Sequence, residues 1–520
     1  MKKLFSRFTL VALTIILIFL SAAMLIAGAV YLAVVLFERY LPEATAYLHY
    51  ALAVLSWLSV VVAVFNVVNR DMHPECKLPW ILCIVILNVL GVAVYLVFSF
   101  NRPTRVAQKR HKLLYEHSRS FLAHSLDGAQ LHEQLKNHSD ISVALTRSSS
   151  AVAYENTKTE YFPSGESFFQ ALLKDLERAQ KYIFLEFFIL AKGEMWSAIL
   201  GILHRKVKEG VEVRVLYDDI GSMGRVSMRY YQRLRRMGIQ CVKCKPFLPV
   251  VTNVHNYRDH RKIVIIDGKV AYTGGINVGD EYINKWHRCG HWKDSALRLE
   301  GVGVKGLLLL FLSMYNLQNG SQEDFADFIP EYEPFAGEGV VQAFGTGPRP
   351  IYDLAIGEDV LLNILGSAKR YVYITTPYLV IDYRLKEALL LAARRGVDVR
   401  IVTPKLPDKK VVFALTRSNY TALVKGGVKI YEYTPGFMHA KNLLCDDVLG
   451  VVGTINLDYR SLMHHYEDAV LMFQTKALKA IKRDFEEVFA VSELQTMQSA
   501  KRNVVYRWVL EIAKVFAPLF

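Results

Sequence analysis

The sequence predicts an α/β catalytic region built from two copies of one unit and carried behind membrane-spanning helices. Three observations predict it. Long uncharged apolar runs are confined to the first hundred residues, a strand–helix–strand pattern occurs twice, and one set of polar residues recurs at identical spacing in each copy. The 520 residues leave room for two or three domains of about 150 residues. Hydrophobic residues make up 52% and charged ones 22%, which excludes disordered, collagenous and coiled-coil chains. Six cysteines at this length exclude a disulfide-stapled secreted scaffold. The formal charge of +14 asks for an anionic partner, and phospholipid and nucleic acid both qualify.

The apolar runs are Phe8 to Phe37, Tyr47 to Val68 and Trp80 to Phe100. About twenty residues suffice to cross a bilayer, and a cleavable signal has an apolar core of only about 7–15. The connectors, Glu38 to Ala46 and Asn69 to Pro79, are short, and Pro74 and Pro79 read as breakers. Residues 1–112 are therefore expected to form a three-span anchor, making the protein a multi-pass cell-membrane protein. Three spans would place five basic residues (Lys2, Lys3, Arg7, Arg70, Lys77) on one side. Six (Arg39, Arg102, Arg105, Lys109, Arg110, Lys112) would lie on the other, nearly a tie. The dense cluster after the third run favours a cytoplasmic catalytic part.

Beyond the anchor, the polar stretch from Leu113 to Tyr161 reads as a connector with a first small element, and strands and helices alternate from Phe162 onward. Ala179-Gln180-Lys181-Tyr182-Ile183-Phe184 recurs as Ala368-Lys369-Arg370-Tyr371-Val372-Tyr373. Each is followed by a helical stretch, a turn glycine and a strand: Gly210-Val211-Glu212-Val213 in one copy, Gly396-Val397-Asp398-Val399 in the other. This is a duplicated domain, with residues 113–330 holding the connector and first half and 331–520 the second.

Each half carries one matching cluster. The first is His260, Lys262, Asp267, Gly274 and Asn277; the second is His439, Lys441, Asp446, Gly453 and Asn456. The offsets from each histidine are identical, and at about 5% usage per residue type four such matches arise by chance roughly once in 10⁵. Lys262 to Ile266 reads as a strand, Asp267-Gly268 as a hairpin turn and Val270 to Tyr272 as the return. Histidine and lysine two apart on a strand share a face. A neutral imidazole can attack phosphorus while a second protonates the leaving alkoxide, both near pH 7. Lysines and asparagines suit the non-bridging oxygens of a phosphodiester. The charge comes from side chains, so no metal and no cofactor is called for, and the carboxylate clusters of two-metal phosphoesterases are missing. Asp267 and Asp446 read as hairpin-fixing members of the sets rather than proton carriers.

These motifs resemble the phospholipase D superfamily, whose signature is His-x-Lys-x4-Asp with a trailing Gly-[Gly/Ser/Thr]-x-Asn. Within it, the chain is similar to bacterial cardiolipin synthases through Tyr217-Asp218-Asp219-Ile220-Gly221-Ser222, Asn256 to Lys262, Gly274-Gly275-Ile276-Asn277, Thr376-Pro377-Tyr378 and Leu457-Asp458-Tyr459-Arg460-Ser461. The N-terminal apolar runs and apolar tail add to the likeness, which covers nearly the whole chain. The resemblance implies αββα sandwich halves around a pseudo-twofold active site. It also implies a phosphohistidine intermediate, with His260 as nucleophile and His439 as general acid. Asp294 and Glu467 fall where such proteins place carboxylates that orient the imidazoles. The implied reaction joins two phosphatidylglycerol molecules into cardiolipin and releases glycerol. Another acceptor alcohol, or water, is the nearest alternative, and a nuclease of the same superfamily a distant one, disfavoured by the lipophilic anchor. One departure is Met463-His464-His465-Tyr466 before Glu467, where relatives commonly have Asn two residues before the acid.

Gly301-Val302-Gly303-Val304-Lys305-Gly306 matches the dinucleotide fingerprint but lacks the second strand ending in an acid. Cys241-x-x-Cys244 has no second cysteine pair to complete a zinc site. The apolar tail from Tyr506 to Phe520 fits either a helix closing the core or one lying at a bilayer surface.

Overall fold

The computed structural model describes residues 42–99, 105–121, 138–149, 151–244, 256–333, 339–349, 354–500 and 504–519, with a few single positions besides. One compact unit holds residues 1–102, and the other holds residues 103–247 and 255–518.

In the first unit, helix α1 (Pro42–Asn69) covers the second apolar run. Its stretch Tyr47–Asn69 is, among the described residues, the one helix long and apolar enough to cross a membrane. The first run, Phe8 to Phe37, lies outside the described residues apart from isolated positions. The third run is not the single span expected from its composition. It forms two helices, α2 (Pro74–Leu87) and α3 (Val89–Ser99), parted by Asn88 at φ 51°. With ψ at −128° this is a reversing-turn conformation, not a helical one, so the chain does not run straight through Asn88. The two helices fold back on each other, with the Trp80 and Tyr95 rings meeting edge-on at 5.6 Å. Gly91 permits the approach: a Cβ there would lie 2.2 Å from the Cys83 carbonyl oxygen. Pro79, read as a breaker, sits inside α2.

The second unit is built on two sheets. The first takes strands β1 (Thr157–Phe162), β2 (Tyr182–Phe187), β3 (Glu212–Asp218), β4 (Gln240–Cys244), β5 (Lys262–Ile266) and β6 (Val270–Gly274). After the short β7 (His291–Lys293), β8 (Ala296–Gly301) completes it. The second half begins with β9 (Val340–Thr346), β10 (Tyr371–Thr375), β11 (Leu379–Val380), β12 (Asp398–Pro404) and β13 (Lys429–Tyr433). It continues with β14 (Gly436–Met438), β15 (Asn442–Cys445), β16 (Leu449–Gly453), β17 (Leu457–Asp458), β18 (Glu467–Phe473) and β19 (Ser492–Leu494).

The sheet orders are β1-β8-β6-β5-β2-β3-β4 and β9-β18-β16-β15-β10-β12-β13-β19. Strand for strand they are the same sheet with one edge strand added. In each, a parallel trio continues into an antiparallel hairpin: β2 pairs parallel with β3 and antiparallel with β5, as β10 does with β12 and β15. The strands are buried on both faces, which is why they read as continuous apolar runs. One core joins both halves: Phe184, Ile263 and Leu299 of the first sheet share it with Val372, Leu443 and Val470 of the second. A second core fills the other face of the first sheet, around Ile183, Val213 and Trp196.

Helix α4 (Arg105–Ser120) belongs to this second unit and packs on α5 (Val304–Asn319). The dinucleotide-like glycines therefore only open the buried helix α5. Cys241 and Cys244 are buried on β4 and form no disulfide. The C-terminal helix α6 (Val504–Phe516) buries Leu510 while Trp508 and Ile512 stay exposed.

Candidate active site

Both predicted hairpins form. Lys262 opens β5, which turns into β6 through Asp267 and Gly268 at φ 53° and 67°. Asp446 and Asp447, at 55° and 63°, make the matching turn between β15 and β16. Positive φ at both central positions matches the right-handed strand twist, so Asp-Gly and Asp-Asp serve where bulkier residues would strain.

The histidines stand at the other end of these hairpins, and each is fixed by the opposite half. His260 N–H donates to the Tyr466 carbonyl at 2.9 Å, and Asp259 and Tyr466 form a parallel bridge. The next residue, Glu467, receives His260 Nδ1 at 2.8 Å. The second copy mirrors this: β14 pairs parallel with β7, and His439 N–H donates to the Lys293 carbonyl at 2.7 Å. Asp294, the next residue, meets His439 Nδ1 at 2.6 Å. Each imidazole thus takes its carboxylate from the other half. With Nδ1 engaged, Nε2 of each ring is the nitrogen left for chemistry.

Glu467 is fully buried and is held as an anion by its donors. Thr454 Oγ1 and Ser461 Oγ each donate to it at 2.5 Å, and His465 Nδ1 stands 3.6 Å away. Burial opposes ionisation, but the His260 and His465 imidazoles outweigh it and hold this carboxyl well below the usual range. Asp294 is likewise held low against burial by His439 and Lys441. The first half has no counterpart of the Thr454 hydroxyl. Gly275 stands there instead, where a Cβ would fall 2.0 Å from Asp294 Oδ1. The alternative Gly, Ser or Thr in the motif thus marks a real asymmetry between the two acids.

Burial lowers both histidines, His260 well below its ordinary value and His439 to about 4, with Lys441 adding to the effect on His439. Both rings are therefore neutral at pH 7. Lys262 and Lys441 donate to the carbonyls of His260 and His439, and Lys441 Nζ also lies 3.0 Å from His439 Nδ1. Burial lowers the two ammonium groups to about 8 and about 7. Aromatic side chains line the rings, with Phe188 at 4.9 Å from His260, and Tyr282 and Trp292 at 5.5 and 5.2 Å from His439.

Asn277 is buried, accepts from Ile189 N–H at 3.0 Å and donates to the Tyr282 hydroxyl at 2.8 Å, so one of its two amide hydrogens is committed. Asn456 takes the equivalent place, its backbone N–H donating to Ser461 Oγ at 2.8 Å. Asp267 and Asp446 share a motif with the histidines and lysines but are not brought to them; they hold the hairpins. The five residue steps from Lys262 to Asp267 span about 16 Å. There the Asp267 carboxylate accepts the backbone N–H groups of Gln180, Lys181 and Tyr182 at 2.7 to 2.9 Å. Asp446 does the same for Lys369, Arg370 and Tyr371. They pin the start of β2 and β10 to the hairpin. That explains why the repeated Ala-x-x-Tyr segments accompany the histidine motif.

Several contributors escaped the sequence reading. Asp218 accepts from Arg258 at 2.7 Å and from the Gly221 and Asp259 N–H groups, anchoring the segment that carries His260. His465 brings a third imidazole to within 5.4 Å of His260, ring to ring. His260, His465 and Glu467 hold ligand atoms within 4.8 Å of one another, so a divalent ion could sit there only by displacing the His260–Glu467 bond.

The profile described as "Cardiolipin synthase, PLD-like domain" matches residues 172–288 and 361–489, one stretch in each half. A second, "Phospholipase_D-nuclease N-terminal", matches residues 54–99. Cardiolipin synthase 1 of Bacillus cereus is 33% identical over 89% of this chain and 93% of its own. An uncharacterized protein of Streptococcus mutans is 42% identical over 88% of this chain and 99% of its own. The crystal structure of phosphatidylserine synthase from Haemophilus influenzae aligns with a TM-score of 0.56 at 13% identity, covering 74% of this chain and 98% of that one, a likeness of fold. With two sheets of one strand order, two histidine motifs sharing their acids across the halves, and relatives matched nearly end to end, this chain belongs to the cardiolipin synthase family of phospholipase D-like proteins.

Proposed function

We propose that the protein is a phosphatidyltransferase that makes cardiolipin from two phosphatidylglycerol molecules. The observation that carries this is the reciprocal pair of imidazoles, each with Nδ1 on a buried carboxylate and Nε2 left for a phosphodiester. His260 Nε2 attacks phosphorus of the first lipid, and glycerol leaves with a proton from His439. Burial keeps His439 neutral before substrate arrives; a phosphodiester anion then offsets Lys441 and Lys262 and raises its affinity for that proton. A terminal hydroxyl of the second lipid then returns a proton to His439 as its oxygen attacks the phosphohistidine. Lys262, Lys441, Asn277 and Asn456 hold the non-bridging oxygens. The parts are an anchor that ends near residue 102, short of the expected 112 because helix α4 belongs to the catalytic unit, and two halves reaching to residue 330 and over 331–520, in a multi-pass membrane protein.

The direct test is the purified enzyme with labelled phosphatidylglycerol in mixed micelles. Equal amounts of cardiolipin and glycerol are expected. Glycerol released with phosphatidic acid as the lipid product would identify a hydrolase instead.

The lowered lysines also set an expected pH profile. A lysine at about 7 or 8 carries its charge below that pH and loses it above. Attraction for the phosphodiester therefore weakens as pH rises, and kcat/KM, which reports the free enzyme, is expected to fall between about pH 7 and 9. Lys441→Arg is expected to move that limb to higher pH, since a guanidinium stays charged; an unmoved limb would assign it elsewhere.

A further inference from the structure

We propose that α2 and α3 form a re-entrant hairpin that dips into the bilayer and leaves on the side it entered, so that the chain after Ser99 begins on the cytoplasmic face. The lengths come first. Fourteen residues of α2 and eleven of α3 make helices of about 21 and 17 Å, and the hydrocarbon core is about 30 Å thick. Neither arm can cross alone. As one straight helix they could, but the Trp80–Tyr95 contact and the Gly91–Cys83 approach fold them against each other.

The contacts with α1 give the direction. Near the C-terminal end of α1, Lys77 donates to the Val68 carbonyl at 2.8 Å, so α2 starts there. The hairpin tip reaches far up the helix, where Ser56 Oγ donates to Asn88 Oδ1 at 2.9 Å. On the return, Tyr95 OH donates to Asn66 Oδ1 at 2.7 Å, and Arg70 lies over the Tyr95 ring at 5.3 Å. Ser56 to Asn69 is about 20 Å of helix, matching the arm length. Val60, Ala63 and Val67 pack on Trp80, Ile84 and Tyr95 in one apolar cluster. The polar tip is tolerable inside a bilayer because Ser56 meets it. Away from the hairpin, α1 exposes Trp57 and Phe65 at 68% and 64%, as lipid contact would require.

This geometry changes the charge count. If Phe8 to Phe37 crosses once and α1 once, the N-terminus, the α1–α2 connection and the segment after Ser99 share one side. That side then holds ten basic residues near the membrane: Lys2, Lys3, Arg7, Arg70, Lys77, Arg102, Arg105, Lys109, Arg110 and Lys112. The other side holds Arg39 alone. A near tie under three spans becomes a decisive bias toward the cytoplasm.

The test uses full-length enzyme expressed in bacteria, with all six native cysteines replaced by serine or alanine and single cysteines introduced. Asp71→Cys and Glu75→Cys report the start of the hairpin, Gln108→Cys and Lys112→Cys its far side, and Glu43→Cys the opposite face. A membrane-impermeant maleimide on intact cells is expected to label only the Glu43 position, and the other four only after permeabilisation. Labelling of the 71/75 and 108/112 pairs from opposite sides would restore a straight third span, and labelling of both pairs in intact cells would overturn the cytoplasmic assignment. Either member of a pair suffices if its companion does not accumulate.

Discussion

Alanine at His260 is expected to abolish both turnover and the covalent intermediate, whereas alanine at His439 is expected to abolish turnover on phosphatidylglycerol but not adduct formation from an activated substrate. The distinction follows from what each step requires. Forming the phosphorus–nitrogen bond needs a neutral imidazole, and burial keeps His260 in that state. Expelling glycerol needs a proton donor because its alkoxide is strongly basic; a phenolate with an acidic parent needs none. Each loss should amount to at least about 10² in rate. The measurement is a phosphohistidine trapped by alkaline quench and located by mass spectrometry. An adduct on His439 that survives His260→Ala would reverse the two roles.

The second large effect is expected at the acids, which act through the histidines as positioning residues. Glu467→Gln keeps the shape and removes the charge. The carboxylate accepts from Nδ1–H and so leaves the Nε2 lone pair outward; an amide can donate to Nδ1 and turn the tautomer around. A loss of roughly 10²–10⁴ in kcat is expected, with KM changed little, since the substrate-binding lysines remain in place. Adduct formation should slow even with a phenolic leaving group. Asp294→Asn is expected to cost a similar factor on phosphatidylglycerol but to leave the phenolic substrate able to load His260, because Asp294 serves His439. Equal loss of adduct formation in both variants would argue for general collapse of the cleft, not for two separately positioned rings.

The asymmetry between the halves bears on why one histidine attacks and the other transfers protons. Glu467 has two hydroxyl donors and a second imidazole besides His260, so His260 is one of several groups that hold its charge. Asp294 has the adjacent Ser295 N–H and relies on His439, with Lys441 close by. The acid with fewer other donors leans harder on its imidazole, which suits a group that must become imidazolium during the cycle.

Much of this was legible in the sequence because it depends on local spacing. The hairpins at Asp267-Gly268 and Asp446-Asp447, the burial of β5 and β15, and the shared face of histidine and lysine all follow from strand periodicity and turn chemistry. The duplication itself was visible as repeated segments, and the identical strand orders are its consequence. Asp294 and Glu467 could be named from family likeness, but nothing local shows that each serves the histidine of the other half. That pairing arises where β14 lies beside β7, and where Asp259 lies beside Tyr466, contacts between residues more than a hundred positions apart. That Asp267 and Asp446 fix their hairpins was readable locally, but not that their carboxylates accept backbone N–H groups from strands some eighty residues away. The third apolar run shows the limit most plainly. Its composition marks it as a long apolar segment, but composition is the same for a straight helix and a folded one. Only the reversing turn at Asn88, the missing side chain at Gly91 and the Ser56 partner inside α1 decide that it turns back. Local pattern determines what each segment can become; which side chains share a site depends on packing between distant segments.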